Sequence, residues 1–169
     1  MTAPGRSQAL IPEPPGGEGT QVRLARTVPG RRAPPDAPRG TAITYGTYDL
    51  FHVGHVRLLR RIKERYGFLI VAVSTDEFNA VKGKRAIVPF ADRIEVVRAC
   101  RHVDLAIAEA GWAQKEQDIR EYGCTAFVMG DDWRGRFDHL RALCEVVYLP
   151  RTDGVSSSEL KSQVLATVG

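Results

Sequence analysis

Two histidines three residues apart are the most informative side chains of this 169-residue chain. His52 and His55 follow a β-prone segment at 42–45, and apolar residues at helical spacing continue after them. Because side chains three apart share one face of a helix, both imidazoles are expected on the first turn of that helix. A helix N-terminus offers free N–H groups and partial positive charge, so the arrangement predicts a phosphate-binding site.

A pair of surface histidines and half of a metal site are the two alternatives to a phosphate site. A metal ion needs further protein ligands at suitable spacing. The remaining histidines are His102 and His139, and neither lies in a ligand-rich segment. We therefore expect no metal ion held by the protein itself.

Strand-like and helix-like segments alternate after residue 40. The predicted strands are at 42–45, 68–74, 103–108, 125–129 and 145–149. Helices are predicted after the histidines, from Pro89 to Ala99, at 113–122, at 136–142, and from Ser156 or Ser157 to about Ala166. This alternation predicts an α/β fold with a parallel five-stranded sheet flanked by helices.

Polar segments lie where four of these strands end. They are 46–55, 74–76, 131–133 and 151–158. In an open parallel sheet, ligands bind beyond the carboxyl ends of the strands, at the point where the strand order reverses. The four segments are therefore expected to converge on one binding site.

The N-terminal 40 residues differ in composition from the rest of the chain. They contain eight of the ten prolines, six of the sixteen glycines, and six arginines against three acids. Such a segment buries too little apolar surface to offset its chain entropy. We expect residues 1–40 to be a disordered extension and residues 41–169 to form the folded domain. The remainder carries 18 basic and 17 acidic residues, which does not indicate a nucleic-acid partner.

Cysteine number and hydropathy indicate the cellular compartment. Cys100, Cys124 and Cys144 are odd in number and adjoin apolar segments, which suits reduced thiols better than a disulfide framework. No apolar run approaches the length of a membrane span, and the N-terminus lacks the apolar region of a signal peptide. A cytoplasmic protein without a membrane partner is the expectation.

Several motifs resemble those of one enzyme family. Gly-Thr-Tyr-Asp at 46–49 and His-Val-Gly-His at 52–55 are similar to the signature of nucleotidyltransferases with a Rossmann-like fold. The likeness sharpens to the bacterial glycerol-3-phosphate cytidylyltransferases at 74–79 (Ser-Thr-Asp-Glu-Phe-Asn), 128–133 (Val-Met-Gly-Asp-Asp-Trp) and 145–152 (Glu-Val-Val-Tyr-Leu-Pro-Arg-Thr). It extends from about Ala42 to Val164 and leaves out the N-terminal 40 residues.

The last motif of the family departs from its pattern in this chain. The cytidylyltransferase signature reads Arg-Thr-x-Gly-Ile-Ser-Thr-Thr, and the departures here are Val155, Ser157 and Ser158. Only methyl groups are lost and the hydroxyls remain, so nucleotide binding is still implied. Related adenylyltransferases also end in a run similar to Ile-Ser-Ser, and Arg151 and Thr152 are the residues that favour CTP.

The resemblance implies transfer of a cytidylyl group from CTP to sn-glycerol 3-phosphate, with CDP-glycerol and pyrophosphate as products. CDP-glycerol would supply teichoic acid or another glycerol-phosphate glycan. The nucleophile is a phosphate oxygen that is already anionic, so no general base is required. Positioning and charge stabilisation therefore carry the chemistry. Mg²⁺ bound with CTP and a homodimeric assembly are also implied.

The same resemblance assigns roles to individual residues. The catalytic residues would be His52 and His55 on the α- and β-phosphates, Arg151 as a planar charged fork, and Lys82. Those implied to bind the nucleotide are Thr47, Tyr48, His52, Val53, Gly54, His55, Lys84, Arg101, Asp132, Arg151, Thr152, Gly154, Ser156, Ser157 and Ser158. Lys82 and Lys115 match positions that contact glycerol phosphate. Asp49 and Asp76 match acids with an architectural or metal-related role.

Ordinary structural roles compete with several of these assignments. Lys82 would otherwise belong to a solvated loop, Lys115 would decorate a helix, and Asp104 would pair with a cation at the edge of the core. Trp112 and Trp133 are either walls of the site or packing residues.

Three other functions remain open at this level. They are an adenylyltransferase, a cytidylyltransferase for another small phosphate such as phosphoethanolamine, and a nucleotide-binding module without turnover. The last is disfavoured because a scaffold would not need the histidines, the lysine and the arginine of the motifs.

Overall fold

A computed structural model describes residues 39–168. The strands are β1 (Thr41–Gly46), β2 (Phe68–Ser74), β3 (Leu105–Glu109), β4 (Ala126–Gly130) and β5 (Glu145–Leu149). The helices are α1 (Val53–Arg65), α2 (Asp76–Val81), α3 (Phe90–Ala99), α4 (Gln114–Tyr122) and α5 (Ser157–Val168), with 3₁₀ turns at Asp131–Trp133 and Asp138–Ala142. The predicted extension at 1–40 lies almost wholly outside the described residues and stays a prediction.

The five strands form one parallel sheet in the order β3-β2-β1-β4-β5. Ala42 of the central strand β1 pairs with Leu69 of β2 on one side and with Ala126 of β4 on the other. The chain first builds outward from β1 to β3, then crosses to the other side of β1 to add β4 and β5. The predicted α/β fold is therefore confirmed, and the strand order reverses between β1 and β4.

Apolar side chains cover both faces of the sheet. Leu59 of α1 and Val97 of α3 pack on one face, and Ile119 of α4 and Leu140 pack on the other. All seven residues of β2 are buried, as a strand covered on both faces requires. The uninterrupted apolar run at 68–74 predicted this burial correctly.

Two predicted elements differ from the structure. The third strand begins at Leu105 instead of residue 103, because Val103 N donates to Cys100 O in a turn. Asp104 then caps the sheet edge, where its Oδ2 accepts from Leu69 N at 2.7 Å and from Lys63 Nζ at 2.6 Å. The structural role weighed for Asp104 is thus the observed one. The segment 136–142 forms a 3₁₀ turn instead of a regular helix.

The three cysteines are free thiols in this structure. Burial raises the pKa of Cys124 to about 12, and burial also raises the pKa of Cys144, so both thiols stay protonated at neutral pH. Within residues 39–168, no helix combines the length and apolar character needed to cross a membrane. The cytoplasmic location stays a prediction.

Candidate active site

A cavity of about 450 Å³ opens beyond the carboxyl ends of the central strands. Its walls include the turn after β1, the first turn of α1, the loop after α2, the end of β4, and the chain from the end of β5 into α5. Three of the four predicted polar segments line it, and Ser74 of the fourth lies directly behind Lys82. The cavity therefore occupies the reversal of strand order, as expected for a ligand site.

The turn after β1 has an unusual backbone. Tyr48 and Leu50 adopt positive φ angles of 54° and 49°, which residues with a Cβ rarely adopt. A Cβ on Gly46 would lie only 2.9 Å from Cε2 of Tyr48, so the glycine lets the tyrosine ring fold back over the strand end. The Tyr48 ring then packs 5.2 Å from the His55 ring. This turn fixes one side of the histidine pair.

The orientation of both imidazoles is set by backbone N–H groups. Gly54 N donates to Nδ1 of His52 at 3.1 Å, and His52 N donates to Nδ1 of His55 at 3.2 Å. Each Nδ1 is therefore an acceptor, which leaves the proton of a neutral ring on Nε2. The rings stack with centroids 3.9 Å apart. The two histidines thus form a pair of neighbouring Nε2–H donors at the start of α1.

Both histidines are neutral in the free protein. Burial, the neighbouring His52 and the charge of Arg151 lower the pKa of His55 to about 3. Burial and Arg151 also lower the pKa of His52. Two stacked cationic rings beside a guanidinium would repel one another, so this cavity favours neutral donors until an anion enters it.

Gly54, between the two histidines, has a steric reason to be glycine. A Cβ at this position would lie 2.8 Å from Cε1 of His52 and 3.0 Å from Cγ1 of Val155. Any larger residue would therefore push the His52 ring away from the position that its backbone hydrogen bond sets.

Arg151 and Lys84 supply positive charge at the open side of the cavity. The Arg151 side chain is 60% exposed and lies 3.8 Å from Asp132 Oδ2, which makes it free to meet an entering anion. Lys84 Nζ lies 5.6 Å from the centre of the Trp133 ring. Behind them, Arg61 Nη2 donates to Pro150 O at 2.7 Å and anchors the loop that carries Arg151.

Arg61 was missed in the sequence, although a signal for it exists. Gly54, Leu58 and Arg61 all line the cavity and follow the i, i+4, i+7 spacing of one helix face. A cation on that face of α1 therefore points to the site and not to solvent.

Lys82 and Lys115 line the cavity; Lys115 is buried, and Lys82 is partly buried with its side chain 9% exposed. Lys82 Nζ donates to Ser74 Oγ at 2.7 Å, and Lys115 Nζ donates to Glu109 Oε1 at 2.5 Å. The solvated-loop alternative for Lys82 and the surface alternative for Lys115 are therefore wrong. Burial lowers the pKa of Lys82 to about 8, although the nearby Glu109 carboxylate acts in the opposite direction.

Glu109 is a second residue that sequence reasoning missed. It is only 3% exposed and ends β3, one residue beyond the predicted strand. A carboxylate placed directly after an apolar strand was the available signal, since buried acids are rare unless they are paired.

The two tryptophans act both as walls and as packing residues. Trp112 and Trp133 line the cavity with ring centroids 6.2 Å apart. Trp112 also packs edge-on against Phe78 at 5.2 Å, while Trp133 packs against Phe137 at 5.6 Å. The two alternatives weighed for these residues are therefore compatible.

Asp49 has an architectural role. Its carboxylate accepts from Ile87 N at 2.9 Å and Val88 N at 3.0 Å, and it pairs with Lys161 Nζ at 2.7 Å. Burial alone would raise the pKa of Asp49, but these three partners together lower it. Asp49 thus joins the loop before α3 to the last helix, α5.

Asp76 holds a buried arginine in place. Its Oδ1 pairs with Nη2 of Arg93 at 2.6 Å, and Arg93, which is 1% exposed, also donates to the backbone oxygens of Thr47 and Ser74. Arg93 therefore ties the ends of β1 and β2 together behind the cavity.

The residues predicted to bind nucleotide do not all line the cavity. Those that do are Thr47, Tyr48, His52, Gly54, His55, Lys84, Asp132, Arg151, Thr152, Ser157 and Ser158. Val53 points to solvent with 48% exposure, and Ser156 Oγ accepts from Glu159 N as the cap of α5. Gly154 supplies a positive φ of 74° in the loop after β5.

Arg101 lies at the opposite edge of the sheet. It is exposed in the turn between α3 and β3, where the strands begin and not where they end. The prediction that it contacts the nucleotide is therefore not supported by the geometry of one chain. The topology puts this position away from the cavity, so the contact that the resemblance implies stays a prediction.

Comparisons with known proteins match most of the described chain. The family model described as cytidylyltransferase-like matches residues 43–163. Over 122 residues the chain is 50% identical to the glycerol-3-phosphate cytidylyltransferase of Staphylococcus aureus (strain NCTC 8325 / PS 47), covering 72% of this chain and 92% of that protein. The glycerol-3-phosphate cytidylyltransferase of Bacillus subtilis (strain 168) is also 50% identical over 122 residues, covering 72% of this chain and 95% of that protein.

A solved structure supports the fold alone. The lipopolysaccharide core biosynthesis protein from Thermoplasma volcanium GSS1 superposes with a TM-score of 0.56 at 21% sequence identity. The match covers 67% of this chain and 98% of that chain. At this identity the likeness extends to the sheet and its helices.

Proposed function

The chain belongs to the cytidylyltransferase-like family, and we propose that it transfers a cytidylyl group from CTP to sn-glycerol 3-phosphate. The products are CDP-glycerol and pyrophosphate. The observation that carries this proposal is a cavity at the reversal of strand order with two sides that each offer donors to an anion. His52, His55 and Arg151 form one side, and Lys82 and Lys115 form the other.

The histidine side suits the triphosphate. The two Nε2–H groups are held in place before the nucleotide arrives, because backbone N–H groups occupy both Nδ1 atoms. Donors oriented in advance stabilise charge that grows in the transition state without a cost of reorganisation. The negative charge of the α- and β-phosphates would raise the pKa of both rings, and Arg151 adds a forked donor at the open side.

The lysine side suits the phosphate of the acceptor. An oxygen of glycerol 3-phosphate attacks the α-phosphorus of CTP, and a new P–O bond forms as the bond to the β-phosphate breaks. The bonding electrons leave with pyrophosphate, and no proton has to move. Lys82 and Lys115 offset the repulsion between the two anions and hold the nucleophile in line.

We propose that Mg²⁺ is bound together with CTP. Within residues 39–168 no three side chains of the metal-ligating types cluster together. Of the acids that line the described cavity, Asp49 and Glu109 already pair with lysines, whereas Asp132 is about half exposed. This donor set fits an ion held chiefly by phosphate oxygens, with Asp132 as the available carboxylate. The bound ion would neutralise phosphate charge.

A homodimer is the assembly that the family resemblance implies, and we propose it for this chain. The support is the relationship to glycerol-3-phosphate cytidylyltransferases. Sedimentation of the full chain at several concentrations tests it, with a mass of twice 18.7 kDa expected for the main species.

The test of the reaction is pyrophosphate release with each nucleoside triphosphate and each acceptor. We expect release with CTP and glycerol 3-phosphate, and little with ATP, GTP or UTP. Phosphoethanolamine in place of glycerol 3-phosphate serves as the acceptor control. Faster release with ATP, or with phosphoethanolamine, would identify a related transferase instead. No release with any pair would contradict enzymatic turnover.

A further inference from the structure

A buried carboxylate lies between the two lysines of the lysine side of the cavity. Oε1 of Glu109 accepts from Lys115 Nζ at 2.5 Å, and Oε2 accepts from Ser74 Oγ at 2.5 Å. Ser74 Oγ in turn accepts from Lys82 Nζ at 2.7 Å, and Lys82 Nζ is 3.8 Å from Oε2 itself. One acid therefore connects both cations, directly on one side and through a hydroxyl on the other.

The surroundings of these lysines are apolar. Lys115 Nζ lies 4.5 Å from the centre of the Tyr45 ring, 4.9 Å from that of Trp112 and 5.6 Å from that of Phe137. Lys82 Nζ lies 4.5 Å from the centre of the Phe78 ring. Ring faces attract an ammonium group, but burial among them removes its hydration, so a carboxylate or several hydrogen bonds are needed to hold the proton.

We propose that Glu109 is a positioning residue that keeps Lys82 protonated and directs both Lys82 and Lys115 at the acceptor phosphate. Glu109 then determines how tightly the acceptor binds and the upper pH limit of that binding. The inference rests on the proposed function, because it is that function which places the acceptor phosphate at the two lysines.

The charge count explains why an acid belongs in an anion site. Two ammonium groups and one carboxylate leave a net charge of about +1 beside the acceptor, which still attracts a phosphate. Without Glu109, two desolvated cations would face each other with no counter-charge, and one of them would lose its proton. The net charge is thus the same with and without the acid, but with it both ammonium groups remain available as hydrogen-bond donors to the phosphate.

The charged groups around Lys82 come from β3, α3, α4 and the loop after α2, which carries Lys84. Glu109 of β3 favours its protonated form, whereas Lys84, Lys115 of α4 and Arg93 of α3 oppose it. With its pKa lowered to about 8, Lys82 is mostly protonated at neutral pH and loses that proton in mildly alkaline solution. Removing the Glu109 charge takes away the favourable partner, so the pKa of Lys82 moves further down. Acceptor binding should then fail at a lower pH.

The experiment compares Glu109→Gln with the wild-type chain between pH 6 and pH 9. KM for glycerol 3-phosphate is expected to rise about fivefold or more in the variant near pH 8 and about tenfold near pH 9, the change that a downward shift of one pKa unit from about 8 gives. The ratio of KM for glycerol 3-phosphate in the variant to that in the wild type should approach one at pH 6, where Lys82 is protonated in both proteins. Titration of the substrate phosphate cancels in that ratio. KM for CTP should stay within about twofold.

Glu116→Gln is the matched control, because this exposed glutamate of α4 lies outside the cavity lining. A simple Coulomb effect predicts the opposite sign for Glu109→Gln, a lower KM for glycerol 3-phosphate. That result, an unchanged ratio across the pH range, or an equal rise for both substrates would overturn the proposal.

A second variant keeps the proposal testable if Glu109→Gln does not fold. Ser74→Ala keeps every charge but removes the link between Lys82 and Glu109, so a smaller rise in KM for glycerol 3-phosphate is expected in the same pH range. If Glu109→Gln does not fold, an unchanged profile in Ser74→Ala overturns the proposal.

An independent measurement separates this proposal from the proposed function. NMR titration of the lysine side chains, assigned with Lys82→Ala, reports the pKa of Lys82 without any substrate. A lower value in Glu109→Gln supports the positioning role even if the wild type used another acceptor, and an unchanged or higher value overturns it. Absence of pyrophosphate release by the wild type contradicts only the proposed function.

Discussion

At the scale of single residues, the histidine pair works through backbone hydrogen bonds that leave both Nε2–H groups facing the cavity. The Nδ1 atom of each histidine accepts a hydrogen bond from a main-chain N–H and not from a protonated side chain, and no carboxylate within residues 39–168 is its partner. We therefore expect the imidazoles to serve as fixed donors and not as proton-transfer groups. This suits a reaction whose nucleophile is already an anion.

We expect His52→Ala and His55→Ala each to lower kcat by on the order of 10²-fold, because each removes one donor to the transition state. His139→Ala is the control, since this exposed histidine lies outside the cavity lining. Steady-state turnover with CTP and glycerol 3-phosphate measures the effect. Near-normal kcat in either variant would contradict the assigned role.

Lys82 and Arg151 are expected to divide the two substrates between them. Lys82→Ala should raise KM for glycerol 3-phosphate far more than KM for CTP, while Arg151→Ala should raise KM for CTP and lower kcat. Loss of one charge-assisted contact should cost about 1.5–3 kcal/mol, or roughly ten- to a hundred-fold in affinity. If initial-rate kinetics gave both variants the same pattern, the picture of two subsites would be wrong.

At the scale of elements, Gly54 at the start of α1 is less favourable for helix formation than alanine, but it leaves room for the His52 ring. Alanine is more favourable than glycine in a helix by up to about 1 kcal/mol. Gly54→Ala should therefore leave Tm within a few degrees of the wild type, while displacement of the His52 ring lowers kcat by about tenfold or more. Gly111→Ala is the control, because a Cβ there meets no atom within 4 Å.

Thermal unfolding and turnover of the two glycine variants together decide this point. Equal activity of both variants would show that His52 tolerates the added methyl group. A large fall in Tm for Gly54→Ala alone would show that the clash is resolved by the helix and not by the ring.

The joint between α5 and the rest of the fold depends on Asp49. Asp49→Asn should lower the free energy of unfolding by about 1–3 kcal/mol at pH 7, since it weakens a buried charge-assisted contact. The pKa of Asp49 is lowered in the folded state, so its contribution is complete above the unfolded pKa of about 3.9. It is lost as pH falls through the folded value.

Urea unfolding at pH 7 and at successively lower pH measures this contribution. The difference between the wild type and Asp49→Asn should shrink as the carboxyl group becomes protonated. Asp153→Asn, at an exposed loop position, is the control. A constant difference at all pH values would mean that the charge of Asp49 is not the cause.

At the scale of the whole molecule, local sequence patterns predicted the sheet and most of the histidine side of the cavity. The apolar run of β2 and the spacing of the two histidines each predict a position in the fold from a few residues of sequence. Glu109 escaped because its partners, Ser74 and Lys115, lie on other elements. Arg101 lies in the turn before β3, and a resemblance in sequence gives no information on which end of a strand a residue occupies.

The positive φ angles of Tyr48 and Leu50 were also beyond prediction, because neither residue is a glycine. Such a backbone is maintained by tertiary contacts, here the packing of the Tyr48 ring beside His55. The conformation of this turn, which borders the histidine side of the cavity, therefore depends on the tertiary fold and not on the local sequence.

The position of β1 between β2 and β4 has a consequence for how the chain folds. Thr41 N donates to Thr125 Oγ1 across 84 residues of sequence, so the two halves of the cavity join only when a long loop closes. A nascent chain that ends before β4 contains the histidine pair but lacks Arg151 and the walls from the second half. CTP is therefore not expected to guide the early steps of folding, and its binding should instead stabilise the completed domain.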